Sequence, residues 1–525
     1  MTMFTATGLR ESELQAKGRK VLRRAGRQVL LLAQGGRVFA IANRCPHEGY
    51  PLSEGTEGPG CVLTCNWHNW KFDLETGEAL VGRDPVRTYP VLLKDGEIFL
   101  DLSDPPAEAQ RERALKGLEA ALLDNDASRM AREAARLERA GFDAREALKH
   151  AIAFLNDRFE EGATHAHGAA ANWLALSDSA STPETRLAAI LEPIGHFAWD
   201  TQGAASFAYP QDTAEWNEGD FLAAMEDERE ADAVVLVRGA IAAGLDFTSL
   251  RPAFARAALS HYAGFGHSAI YTVNLTELAA RLGAAVRMPL LLSLTRSLIR
   301  ATREDRLPEF RGYAKALADW DGTGQMPARA EDFLGLSVDG ILARTLQSSG
   351  RPAREIYDAL LGAAADNILH FDLTFQDAAD NAIADNISWL DFTHALTFAG
   401  ACRVLCTDDP ALWPQALLQL ALFVGRNRKY VRPHNDTERW HVADRKRFVG
   451  RELEALYDHG IPEPIIACHR LKVLFALDGE LEAAPDAPWG DTLCAAVNRY
   501  LSIPMKRHHG LRNASQALDF IAKEG

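Results

Sequence analysis

A small all-β domain followed by a large all-α domain is the fold class this sequence predicts, on three observations. Up to Leu102 the chain holds short apolar runs separated by Gly-bearing turns, the pattern of brief strands. Ser103-Asp104-Pro105-Pro106 is then a polar, Pro-rich break. From Ala107 onward Ala, Leu, Arg and Glu dominate, with apolar residues three and four apart, the helical period. The expected domains are therefore 1–103 and 104–525.

In the first part, Gln28–Leu32 and Val38–Ala42 read as strands joined through Gly35-Gly36, a hairpin signal. Cys61–Thr64 reads as a strand, and Lys71–Asp73 as another that runs to a turn at Thr76-Gly77. A last hairpin pairs Tyr89–Leu93 with Glu97–Leu102 across Asp95-Gly96. Beyond the break, residues 107–147 predict two or three amphipathic helices with charged, solvated faces. Helix breaks are expected at Gly141-Phe142, Ser177–Thr182, Gln211–Gly219, Ser349-Gly350 and Asp478-Gly479.

The loops between the early strands carry the chemistry. One reads Cys45-Pro46-His47; seventeen residues later the other reads Cys65-Asn66-Trp67-His68. Each offers one thiolate and one imidazole. This pairing resembles the ligand loops of a Rieske [2Fe-2S] protein, in which one iron takes two Cys and the other two His. The same ligand types could also hold zinc. The resemblance spans roughly residues 8–103 and implies that Cys45, His47, Cys65 and His68 are the metal ligands of a [2Fe-2S] cluster. Neither loop has the extra Cys of the high-potential branch, and Trp70 and Phe72 stand where that branch has Ser and Tyr. Fewer hydrogen bonds to the cluster sulfurs imply a low potential, as in the ferredoxin and oxygenase branch. Cys61 is expected to be a strand residue of the core.

Composition narrows the function. The net charge of −15 leaves no general basic face for nucleic acid. The early part is nearly neutral, with thirteen basic and twelve acidic residues up to Ser103, so the helical part carries the acidity. Seven cysteines without framework spacing fit a reduced, cytoplasmic setting. No signal peptide and no run of about 18 apolar residues is present, so a soluble protein without membrane span is expected. No Gly-rich phosphate loop or nicotinamide fingerprint follows a strand. Electrons must then come from a separate NAD(P)H-dependent reductase or a ferredoxin. Arg426–Arg432 is a local basic patch, read as a solvated loop or as a docking patch for an anionic group.

The helical part departs from the usual Rieske oxygenase catalytic domain. Asp391-Phe392-Thr393-His394 has the first half of its Asp-x2-His-x4-5-His iron motif, but Ala399 and Gly400 occupy the places of the second His. Carboxylate and imidazole nonetheless recur one turn apart, as Glu161/His165, Glu192/His196, Asp366/His370 and, at three, Asp391/His394. His165/Asn172 and His267/Asn274, seven apart, extend such stripes along helices of small apolar residues. Gly264 and Gly266 beside His261 and His267 would permit a helix break lining a cavity. Oxygen-activating iron commonly takes two His and a carboxylate with open positions. The candidate metal ligands are His165, His167, His196, His261, His267, His370 and Glu161, with His165, His267, His370 and His394 as candidate catalytic residues. His469 stands in a more charged context and is left outside this set. Segments such as Thr164–Gly168 and Gly266–Tyr271 are loosely similar to questin-oxidase-like proteins, helical enzymes linked to oxidative cleavage of aromatic ring systems.

The expected function is that of a Rieske-type iron–sulfur oxidoreductase. It passes electrons from an external reductase to an oxygen-activating metal site, such as non-haem iron, in the helical domain, and oxidises a small organic substrate. Two other readings stand beside it. One is an electron-transfer or redox-sensing protein whose helices bind a partner; the other has haem among the helices. A homo-oligomer is expected only by analogy with oxygenases that pass electrons between subunits.

Overall fold

The computed structural model describes residues 4–24, 26–376, 387–432 and 436–503, with 514, 517, 518, 521 and 522. It divides into two compact units, Met1–Ala121 with Asp126–Ala147 and Arg512–Gly525, and Leu122–Asn125 with Leu148–Leu511. The order of a small β domain and a large helical region is as the sequence predicts.

Among the described residues the first unit holds ten strands: β1 Phe4–Arg10, β2 Arg19–Arg24, β3 Arg27–Gln34, β4 Arg37–Ala42, β5 Thr56–Gly58, β6 Val62–Thr64, β7 Lys71–Asp73, β8 Ala79–Val81, β9 Val91–Lys94 and β10 Glu97–Asp101. They form three antiparallel sheets, ordered β1-β10-β9, β2-β3-β4 and β5-β6-β7-β8. Both expected hairpins are present, β3–β4 across Gly35-Gly36 and β9–β10 across Asp95-Gly96. Val29–Leu32 and Phe39–Ala42 are buried on consecutive positions, because both faces of this hairpin are covered. Cys61 differs from expectation. It lies in the turn before β6, half-buried, with φ +61°, since the chain must reverse between β5 and β6.

The compact first unit continues beyond the Pro-rich break. The helices Ala107–Leu123 and Ala127–Arg139 belong to it apart from the last two residues of the former. Asp126 caps the second of them, its carboxylate accepting from Arg129 N at 3.0 Å. Its face is unusual for an amphipathic helix, since Arg129, Arg132 and Glu133 are buried.

In the second unit, four helices close a ring. His165–Asp178 packs on His267–Leu282 and on Pro464–Ala483, and Trp389–Asp408 packs on the same two. Alanine and glycine make the close approach possible; Gly168 lies flat against the Tyr271 ring, where a Cβ would come within 2.8 Å. Among the described residues, no helix is long and apolar enough to cross a membrane.

Candidate metal centres

The first centre lies at the ends of β4 and β6, where one loop conformation is built twice. Cys45 N donates to Tyr50 O at 2.9 Å and Gly49 N returns to Cys45 O at 2.8 Å. Cys65 N donates to Trp70 O at 2.7 Å and Asn69 N returns to Cys65 O at 3.0 Å. The turn needs a left-handed residue, supplied by Gly49 (φ +75°) and by Asn69 (φ +59°), a residue type that tolerates it. Both thiols are buried, while the His47 and His68 rings stand 4.6 Å apart above them with His68 exposed. Burial pushes the Cys45 thiol up to about 12, against backbone N–H groups of His47 and Glu48 that favour its thiolate. His47 Nδ1 is buried with no hydrogen-bond partner. Buried thiols, backbone donors aimed at sulfur and an unpartnered imidazole nitrogen fit a cluster held by two Cys and two His. Trp70 stacks on His47 with ring centroids 4.7 Å apart, and Phe72 is fully buried, so neither offers a hydroxyl.

The second centre lies inside the four-helix ring. His165, His267, His394 and His469 each contribute one ring nitrogen to a group whose members all lie within 4.8 Å of one another. His267 Nε2 is 3.0 Å from His165 Nε2 and 3.0 Å from His394 Nε2, and His394 Nε2 is 3.4 Å from His469 Nε2. All four stand in the first two turns of their helices. Three rings are aimed by backbone carbonyls: His267 Nδ1 donates to Gly264 O at 2.5 Å, His394 Nδ1 to Leu390 O at 2.5 Å, and His469 Nδ1 to Ile465 O at 2.6 Å. A carbonyl only accepts, so each Nδ1 carries the proton and each neutral ring turns an Nε2 lone pair inward. Burial, with Lys472 next, pushes His394 down to about 3, and burial puts His165, His267 and His469 well below the usual range.

Lone pairs facing lone pairs, as between His267 and His394 and between His394 and His469, repel unless a cation lies between them. Nitrogens bound at about 2.1 Å to one ion sit about 3.0 Å apart at a right angle and about 3.4 Å apart at a tetrahedral angle. The spacings of 3.0, 3.0 and 3.4 Å match these two values. No carboxylate joins the group among the described residues. Phe265, with φ +52° between left-handed Gly264 and Gly266, lays its ring against His394 at 5.5 Å.

The remaining sequence candidates sit elsewhere. His167 caps its own helix, its Nδ1 accepting from Thr164 N at 3.1 Å, between Phe159 and Phe197. His196 is buried, with Nε2 3.5 Å from Asp200. His261 bridges Asp305 at 2.7 Å and Glu226 at 2.8 Å, which holds its pKa up. His370 closes a helix end by donating to Asp366 O at 2.9 Å. Glu161 is exposed, on the rim of a groove lined also by Arg300, Arg303 and Arg306. Asp391 turns from His394 to Arg426, 2.7 Å away. The basic patch is engaged as well, since Lys429 pairs with Glu309 and Arg432 with Asp372. His469 is the member that sequence reasoning missed. Its charged neighbour Lys472 is itself buried, and the apolar run Ile465–Cys468 is the signal that marks this helix as core.

Residues 7–90 match the Rieske [2Fe-2S] domain family. The 3-phenylpropionate/cinnamic acid dioxygenase ferredoxin subunit of Photorhabdus laumondii is 37% identical over 78 residues, 14% of this chain and 74% of that subunit. The subunit of the same description from Escherichia coli (strain K12) is 38% identical over 78 residues, again 14% of this chain and 74% of the subunit. Among solved structures, the ferredoxin of carbazole 1,9a-dioxygenase from Nocardioides aromaticivorans IC177 aligns at 26% identity, over 19% of this chain and 99% of that one, with a TM-score of 0.18. The chain belongs, through this N-terminal domain, to the Rieske [2Fe-2S] family, and the domain binds a [2Fe-2S] cluster.

Proposed function

We propose that this chain is a Rieske-type oxidoreductase that carries its own oxygen-activating iron site. Cys45, His47, Cys65 and His68 hold the cluster, and His165, His267, His394 and His469 hold iron in the helical unit. The observation that supports the second site best is the set of inward Nε2 lone pairs whose Nδ1 protons are already committed to carbonyls. Iron with four imidazole ligands keeps coordination positions free for oxygen and supplies its activation. Four neutral ligands leave the ion's charge uncompensated, and nearby helix N-termini add to it. A substrate presenting an anionic oxygen is therefore favoured over a neutral one. The cluster contributes one electron at a time, drawn from a separate NAD(P)H-dependent reductase or ferredoxin. The relatives are dioxygenase ferredoxin subunits, which supports the electron-transfer half of this reading.

The test is iron against acid-labile sulfide on anaerobically purified protein. A [2Fe-2S] cluster alone gives equal amounts. Iron in excess that persists after Cys45→Ser and disappears after His267→Ala supports the proposal. Equal iron and sulfide in reconstituted protein would remove the second site.

A further inference from the structure

The helix Ala127–Arg139 follows the strands of the Rieske domain, yet it holds a loop beside the cluster site. Asp84 in that loop is fully buried and ion-paired twice. Arg129 Nε is 2.7 Å from Oδ1, and Arg132 reaches Oδ2 with Nε at 3.1 Å and Nη2 at 2.8 Å. Both guanidinium groups are buried. Glu133, buried beside them, takes Arg136 at 2.7 Å. Arg83, next to Asp84, reaches Asp126 at 3.6 Å.

The same loop bears on a cluster ligand. Gly82 lies on the Trp70 indole so closely that a Cβ would fall 2.4 Å from it, and its φ of +118° is one only glycine adopts readily. Trp70 in turn stacks on the His47 ring, the two planes 9° from parallel. The chain of contacts therefore runs from the helix through Asp84 and Gly82 to Trp70 and His47.

We propose that Arg129 and Arg132 are positioning residues that set the reduction potential of the cluster. Anchored on Asp84, they place net positive charge on the His47 side of the site and hold the loop that keeps Trp70 on His47. Reduction adds one electron from the external donor and transfers no atom, so the cluster gains one negative charge. Buried positive charge nearby favours that state, and low dielectric makes the effect large. Arg129 and Arg132 lie beyond the family match, which ends at residue 90. The device is thus a property of the helix Ala127–Arg139 and stands independently of the helical iron site.

The experiment is an anaerobic redox titration of the cluster's visible absorption in the full-length protein. Arg132→Gln is expected to lower the reduced-to-oxidised ratio at fixed potential by about tenfold, which is 59 mV for a one-electron couple. Asp84→Asn removes the buried negative charge between the two guanidinium groups and is expected to shift the ratio the other way. Arg132→Lys keeps the charge and is expected to keep the potential. A merely structural role would move Arg132→Gln and Asp84→Asn in the same direction. Shifts of one sign in both, or no shift in either, overturn the proposal. If one of these variants fails to assemble a cluster, Arg129→Gln against Arg129→Lys repeats the comparison from the other guanidinium, and equal potentials there overturn it.

Discussion

His267 and His394 face each other Nε2 to Nε2 at 3.0 Å, and both have their Nδ1 proton on a backbone carbonyl. Neither ring has a proton to offer the other, so an ion between them is the arrangement that removes the repulsion. His394→Ala is expected to abolish iron in excess of sulfide and leave the cluster absorption unchanged. His261→Ala and His370→Ala, whose rings serve Asp305, Glu226 and Asp366, are expected to retain it. Metal analysis beside the visible spectrum separates these outcomes.

The cluster and the helical site should also be lost separately in the other direction. Cys45→Ser is expected to eliminate labile sulfide, because thiolates are what one of the two irons requires. Helical iron should remain at its wild-type amount, and electron transfer from any reductase should stop. Sulfide retained at the wild-type level would exclude Cys45 as a ligand.

The buried histidines make metal-free protein sensitive to acid. His394 is pushed down to about 3, and His165, His267 and His469 lie well below their ordinary value, whereas unfolded His takes a proton near pH 6.5. Below that pH the unfolded chain binds more protons than the folded one. Stability therefore falls with falling pH, by about 1.4 kcal/mol per pH unit for each such His. For His394 the fall continues until pH reaches about 3. His261 and His370, whose folded values are raised, oppose this; their stabilisation is lost as pH rises through those values. Urea midpoints of chelator-treated protein between about pH 7 and pH 5 measure the net slope. His394→Gln is expected to flatten it by one group, and an unchanged slope would contradict a neutral buried His394.

Gly266 joins backbone geometry to the four-histidine site. It has φ +83°, immediately precedes His267, and a Cβ there would fall 2.9 Å from Phe398 and 3.2 Å from Phe423. Gly266→Ala is expected to cost about 1–3 kcal/mol, from left-handed strain and crowding together. Because the same turn sets the Gly264 carbonyl that aims His267, iron retention should fall with stability. Denaturant midpoints and iron content of the variant check both.

The cluster loops were legible because their ligands are local. Cys45 and His47, and Cys65 and His68, are fixed within single turns whose Gly49 and Asn69 are visible in the chain. The helical site was legible in part. His165, His267 and His394 were singled out by apolar surroundings and glycine breaks, while Asp391, Glu161 and His370 were drawn in by carboxylate spacing. Spacing along one helix says which residues share a face, not which face meets which neighbour. Asp391 turned to Arg426, and His469 was hidden by flanking charges that the packing buries.

By itself the sequence determined the division into β and helical parts and the cluster loops, because turns, hydrophobic period and ligand pairs are properties of short segments. Only the tertiary structure decided that four histidines between residues 165 and 469 share one point, and that a helix beyond the Pro-rich break holds Asp84 beside the cluster. Both depend on which helix faces pack together, and that is set by side-chain fit across the whole core rather than by any local pattern.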